Sequence, residues 1–63
     1  MELILDAGRP RKMAFSGDVA SLIKKLGLMR EEVLVRVNGR IVPETRAVGP
    51  KDRVEIIKVV FGG

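Results

Sequence analysis

The chain has 63 residues, with 12 lysines and arginines against 8 acidic residues and a formal net charge of +4. This length allows one small domain with one core. Because the sequence contains neither cysteine nor histidine, it excludes a disulfide, a zinc finger and an iron–sulfur cluster, and we predict no metal site.

The basic residues are spread along the whole chain and alternate with acids, and the aromatic residues are two phenylalanines. This pattern predicts a solvated charged surface and argues against nucleic-acid binding. No apolar run reaches the roughly 20 residues that a membrane span requires. The acidic start "MELILD" is not a signal peptide, so we expect a cytoplasmic protein with no membrane partner.

The first elements in chain order are two strands and a helix. Strand formers predict a strand from Glu2 to Asp6 and a second one over "RKMAF", joined by the turn "AGRP" into a hairpin. In "SGDVASLIKKLGL" the period changes to that of a helix. Asp18 is the predicted N-cap and Gly27 the predicted C′ residue. The apolar stripe consists of Val19, Leu22, Ile23 and Leu26.

Three more strands complete the chain. "VLVRV" alternates, with Val33, Val35 and Val37 on one face and Leu34 and Arg36 on the other. Asn38-Gly39 predicts a tight hairpin turn into a short strand over Arg40 to Val42. "ETRAVGPKD" is a predicted loop, and "RVEIIKVVF" is the predicted last and longest strand.

The predicted order ββαβββ indicates an α+β roll with one helix packed on a mixed sheet. We expect the first and last strands to pair in parallel in the middle of the sheet through the helix crossover. Residues 1–61 form the predicted domain, and residues 62–63 a flexible Gly-Gly tail.

The last strand breaks its own alternation. Val54 and Ile56 alternate with Arg53 and Glu55, but Ile57, Val59 and Phe61 then occupy outward-facing positions. Two explanations stay open. A loop could cover this end of a central strand, or the three residues could form an exposed strip that binds a partner protein.

The chain ends on Gly62-Gly63 directly after this apolar run. Two residues without a Cβ atom can pass through a narrow channel and bring a terminal carboxylate to an active site in another protein. A carboxylate must first be activated as an acyl-adenylate with ATP, so both glycines would be substrate residues. Ser16, Ser21 and Thr45 have no evident general base, and we predict that the chain is not itself an enzyme.

Three motifs in this order, "VNGRIVP" (37–43), "DRVEII" (52–57) and the terminal "GG", resemble the ThiS/MoaD family of ubiquitin-like sulfur carriers from Met1 to Gly63. The resemblance implies the β-grasp (ubiquitin-like) fold. The "NG-x-IVP" stretch and the length are more similar to ThiS than to MoaD proteins.

The resemblance also implies a function. A ThiF/MoeB-like adenylyltransferase would use ATP to adenylate Gly63, which a persulfide sulfur would convert to a thiocarboxylate. Gly62 would lie in the channel of that enzyme, and Ile57, Val59 and Phe61 would form the docking strip. The acceptor would be a thiazole synthase-like enzyme or a molybdopterin synthase large subunit-like enzyme. Protein modification through isopeptide bonds and tRNA thiolation remain open alternatives, because they share the adenylate.

Overall fold

The computed structural model describes residues 1–59. The elements in chain order are β1 (Glu2–Leu5), β2 (Arg11–Lys12), β3 (Gly17–Asp18), α1 (Val19–Lys25), the 3₁₀ turn Arg30–Glu32, β4 (Val33–Val37), β5 (Arg40–Ile41), β6 (Ala47–Val48) and β7 (Arg53–Lys58).

The main sheet has five strands in the order β2-β1-β7-β4-β5, and a separate ladder joins β3 to β6. β1 and β7 pair in parallel, from Glu2 opposite Arg53 to Leu5 opposite Ile56. β4 pairs with the other side of β7 in antiparallel. The chain reaches β7 from β1 through the helix crossover. This arrangement confirms the predicted α+β roll, including the parallel pairing of the first and last strands.

Local signals at both ends explain where α1 begins and ends. The Asp18 carboxylate accepts a hydrogen bond from the Ser21 backbone N–H at 2.8 Å, which satisfies one of the free amides of the first turn. At the other end Gly27 has a φ of +73°. The backbone N–H groups of Gly27 and Leu28 donate to the carbonyls of Lys24 and Ile23, which is the Schellman pattern. The predicted capping residues are therefore confirmed.

The core lies between α1 and one face of the sheet. Its fully buried members are all aliphatic: Leu3, Val19, Leu22, Ile23, Val35, Val37, Val48, Val54 and Ile56. No polar or charged residue is buried among residues 1–59. Apolar burial between one helix and one sheet face is therefore the main source of stability that the described residues provide.

Several predicted boundaries are wrong. Strand β5 ends at Ile41, one residue before the predicted end at Val42, although the Val42 N–H donates to the Val35 carbonyl. Strand β2 ends at Lys12 rather than continuing through "RKMAF", although the Met13 N–H still donates to the Met1 carbonyl. The predicted loop 44–52 contains β6, which pairs with the unpredicted β3. Strands of two residues, such as β3 and β6, are too short for an alternation of apolar and polar residues to be recognised in the sequence. Strand β7 ends at Lys58, so Val59 lies beyond the ladder, and Phe61 lies outside the described residues.

Two turns with left-handed residues flank β7, one at each end. In the predicted turn after β4, Asn38 and Gly39 have φ values of +52° and +85°. The turn after β1 has the same character, with Asp6 at +47° and Ala7 at +58°, and the Gly8 N–H donates back to the Leu5 carbonyl at 2.8 Å. The strand predicted to include Asp6 therefore ends one residue earlier.

Candidate functional site

The carboxyl end of β7 is where the central strand leads toward the C-terminus. Ile57 and Val59 are half-buried, and Lys58 between them is exposed. The Lys58 backbone N–H donates to the Asp6 carboxylate at 2.7 Å. The next amide, that of Val59, donates to the Glu32 carbonyl at 2.8 Å. The strand end is thus held from two neighbouring elements.

The predicted site residues Phe61, Gly62 and Gly63 lie outside the described residues, as does the predicted boundary between the domain and its tail. The structure places the other two members of the predicted docking strip, Ile57 and Val59, at the end of β7 that leads to them. The role of this strip in binding a partner stays a prediction.

Ile57 lies on the face of the sheet that α1 does not cover, because Val54 and Ile56 occupy the core face. Leu34 on β4 is directly opposite Ile57, and its exposed fraction is 44%. On β5, Ile41 is directly opposite Arg36 and is therefore the diagonal neighbour of Leu34. Its exposed fraction is 66%.

On β1, Ile4 is opposite Glu55 and diagonal to Ile57. We call these four residues the outer apolar patch: Ile4, Leu34, Ile41 and Ile57. They belong to four different strands, and the pairing of the strands brings them together. The alternation of β4 predicted Leu34 on this face, but Leu34, Ile4 and Ile41 were not predicted to belong to a site. The sequence signal that could have indicated the patch is an apolar residue at an outward-facing position of each strand.

One ion pair crosses the outer apolar patch and another lies at its edge. Arg36 and Glu55 are separated by 3.9 Å between Nη1 and Oε2, and the Arg53 Nε atom lies 2.7 Å from Glu2 Oε1. Arg36 and Glu55 lie between Ile41 and Ile4, whereas Leu34 and Ile57 are direct neighbours. Protein–protein interfaces combine apolar side chains with charged ones. Exposed pairs of this kind add little to stability, so their charges are available to orient a partner.

The shifted pKa values within residues 1–59 have structural causes. Hydrogen bonds from Ser21 lower the pKa of Asp18 at the helix cap. Hydrogen bonds from the Asn38 side chain and the Gly49 backbone lower the pKa of Asp52 in the turn before β7. The Glu44 carboxylate raises the pKa of Arg30. These shifts report capping and turn formation and do not mark an acid–base site.

Several cavities open on the surface of the described part of the chain. A cavity of about 140 Å³ lies beside the end of β7 and is lined mainly by apolar residues of β1, the helix end and β4. Within residues 1–59, no three acidic side chains are grouped closely enough to hold a metal ion. No helix in that range has the length and apolar character needed to cross a membrane.

One helix on a mixed five-stranded sheet, with the first and last strands parallel at its middle, defines the β-grasp or ubiquitin-like class of proteins. The ThiS family model matches residues 7–63, which is most of the chain. The protein therefore belongs to the ThiS family, and the resemblance found in its motifs is confirmed.

A solved structure supports the same assignment. The chain is similar to a thiamine biosynthesis protein (ThiS) from Geobacter metallireducens, with 27% sequence identity and a TM-score of 0.67. The similarity covers 100% of both chains. A search of curated protein sequences gave no match.

Proposed function

We propose that this protein is a sulfur carrier in thiamin-type cofactor biosynthesis, and that the C-terminal carboxylate of Gly63 carries the sulfur. The observation that supports this most directly is the family match, which extends through Gly62 and Gly63. The full-length similarity to a thiamine biosynthesis protein favours the thiamin branch over the molybdopterin branch.

The proposed chemistry takes place in a partner enzyme. A carboxylate oxygen of Gly63 attacks the α-phosphorus of ATP, and pyrophosphate leaves. A persulfide sulfur then attacks the acyl carbon and displaces AMP, and a thiol cleaves the resulting acyl disulfide to leave the thiocarboxylate. The chain is the substrate of this sequence and not its catalyst. Because these reactions consume ATP, we propose that they take place in the cytoplasm.

We propose that a ThiF/MoeB-like adenylyltransferase recognises the carrier through the outer apolar patch and the docking strip Ile57, Val59 and Phe61. Ile57 belongs to both, so the two surfaces are continuous at the end of β7. The exposure of Leu34 and Ile41 supports this role, because contiguous apolar side chains on a protein surface often mark a site of protein–protein interaction. Gly62 would then follow the strip into the channel of the enzyme.

Intact-mass measurement tests the proposal. The purified chain is incubated with a ThiF-type enzyme, ATP, a persulfide sulfur source and a thiol. We expect the mass increase of one oxygen-to-sulfur exchange, and no increase when ATP is omitted or Gly63 is deleted. An unchanged mass with an enzyme that modifies its own carrier under the same conditions would refute the proposal.

The acceptor is tested separately. We propose a thiazole synthase-like enzyme, and the thiocarboxylate form should lose its sulfur when that enzyme and its substrates are added. Loss of sulfur to a molybdopterin synthase large subunit-like enzyme instead would assign the chain to the other branch. A ladder of conjugates in cells that disappears on deletion of Gly63 would indicate a protein modifier.

A further inference from the structure

The two left-handed turns beside β7 make the same unusual contact at its two ends. At the start of the strand, the Asn38 N–H donates to the Arg53 carbonyl at 2.8 Å, and the Arg53 N–H donates to the Asn38 side-chain oxygen at 3.0 Å. At the other end, the Asp6 N–H donates to the Ile56 carbonyl at 2.8 Å, and the Lys58 N–H donates to Asp6 Oδ1 at 2.7 Å.

In both cases a side-chain oxygen accepts the hydrogen bond of a β7 amide. In the parallel ladder of β1 and β7, the residue whose N–H donates to Ile56 would next accept from Lys58 through its own backbone carbonyl. The left-handed conformation of Asp6, with a φ of +47°, turns the chain away from β7 at this point. The Asp6 carboxylate accepts the bond in place of that carbonyl.

The Asp6 contact is placed where the orientation of the C-terminal segment is set. Lys58 and Val59 are the last two residues of the described chain, and the backbone N–H of each donates a hydrogen bond. Gly63 is four residues beyond Val59, which is at most about 14 Å of extended chain. The contact at Lys58 therefore lies five residues before the carboxylate that the proposed function uses.

The backbone conformation at Asp6 and Ala7 supports a role other than stability. Ala7 has a φ of +58°, which costs a residue with an apolar side chain roughly 1–2 kcal/mol, whereas Asp6 is of a type that adopts this conformation more readily. The turn at the other end of β7 uses Asn and Gly, which adopt this conformation at lower cost. Residues retained at unfavourable backbone angles are found most often at functional sites.

From this geometry we propose that Asp6 is a positioning residue for the C-terminal segment: its carboxylate fixes the direction in which the chain leaves the sheet, so that Gly62 and Gly63 enter the activating enzyme in a productive orientation. This inference rests on the proposed function. It assigns to Asp6 no contact with ATP or with the reacting carboxylate.

The experiment measures ATP–pyrophosphate exchange by a ThiF-type enzyme while the concentration of the full-length carrier is varied. Removing the acceptor in Asp6→Ala should lower kcat about tenfold and change KM less than about twofold, because the docking surface is intact but fewer bound carriers present Gly63 correctly. Asp6→Asn keeps a side-chain oxygen and should restore kcat. Asp6→Gly also removes the acceptor and suits the left-handed φ, so it should fold and show the same loss.

Asn38→Ala is the matched control. It removes the equivalent contact at the start of β7, together with a hydrogen bond to Asp52, and should leave both kinetic constants unchanged although it destabilises the fold. Hydrogen exchange gives a readout that needs no enzyme. The Lys58 amide should exchange faster in Asp6→Ala and Asp6→Gly than in the wild type, and the Arg53 amide should respond only to Asn38→Ala.

The outcomes separate the two proposals. If the wild type is adenylated and Asp6→Ala and Asp6→Gly keep its kcat, or if Asn38→Ala lowers kcat as much, the positioning role is overturned and the sulfur-carrier proposal stands. If the wild type is not adenylated by a competent enzyme, the proposed function fails and the positioning role fails with it. Unchanged exchange at Lys58 in both acceptor-free variants also overturns the role.

Discussion

Ala7→Gly is expected to stabilise the protein, although it removes a side chain. Ala7 is exposed and has a φ of +58°. A left-handed alanine costs roughly 1–2 kcal/mol, and glycine avoids this cost. Glycine also gives the unfolded chain more freedom, which offsets about 0.4–1 kcal/mol of the gain. We therefore expect the free energy of unfolding to increase by about 0.5–1 kcal/mol.

The assay is thermal unfolding followed by circular dichroism. For a domain of this size, about 1 kcal/mol shifts Tm by roughly 4–8 °C, so Ala7→Gly should raise Tm by roughly 2–8 °C. Ala20→Gly is the matched control: Ala20 is exposed within α1, where glycine costs about 0.5–1 kcal/mol, and Tm should fall. A decrease in Tm for Ala7→Gly as large as that for Ala20→Gly would refute the reasoning from backbone strain.

Three further predictions concern the core, the turn before β7 and the outer apolar patch. Leu22→Ala empties a fully buried site and should lower the free energy of unfolding by about 2–5 kcal/mol. This is a large share of the roughly 3–9 kcal/mol expected for a domain of this size. A urea midpoint that falls by less than about a tenth of the wild-type value would contradict this prediction. The pKa of Asp52 is lowered from an ordinary value of 3.8, so its carboxylate stabilises the fold above that pH, and this contribution is lost as the pH falls through the lower folded-state pKa. Asp52→Asn should therefore show a shallower loss of stability on acidification than the wild type, and parallel curves would count against this. Leu34→Gln should weaken binding to the activating enzyme about tenfold in calorimetry while Ala20→Gln on the helix side does not; equal affinities would exclude Leu34 from the interface.

The sequence was sufficient to predict features that depend on near neighbours. The helix is bounded by Asp18 and Gly27 because a cap acts on amides and carbonyls within one turn of it. The Asn38-Gly39 turn depends on the conformational freedom of two adjacent residues. The alternation of Val33, Val35 and Val37 follows from the period of a strand. The motifs, read together with the terminal glycines, were also sufficient to indicate the family.

The tertiary structure decided which distant residues meet. The outer apolar patch is formed by four strands, and its members come together only when β1, β7, β4 and β5 pair in one register. A shift of one residue in any strand would move its apolar side chain to the other face. The Asn38-Gly39 turn fixes the register of β4 and β5, but no local pattern fixes the register of β7 with β1 and β4. The contact between Asp6 and Lys58 joins residues 52 positions apart.

The difference has one physical reason. Capping, turn formation and side-chain alternation are energies of a few consecutive residues, so the sequence determined them directly. Pairing between strands depends on closing long loops and on burying α1 against one particular face of the sheet, and these are properties of the whole chain. The sequence by itself thus determined the helix, the longer strands and the family. The packing of the helix on the sheet determined which apolar residues were left outside and how Asp6 meets the last strand.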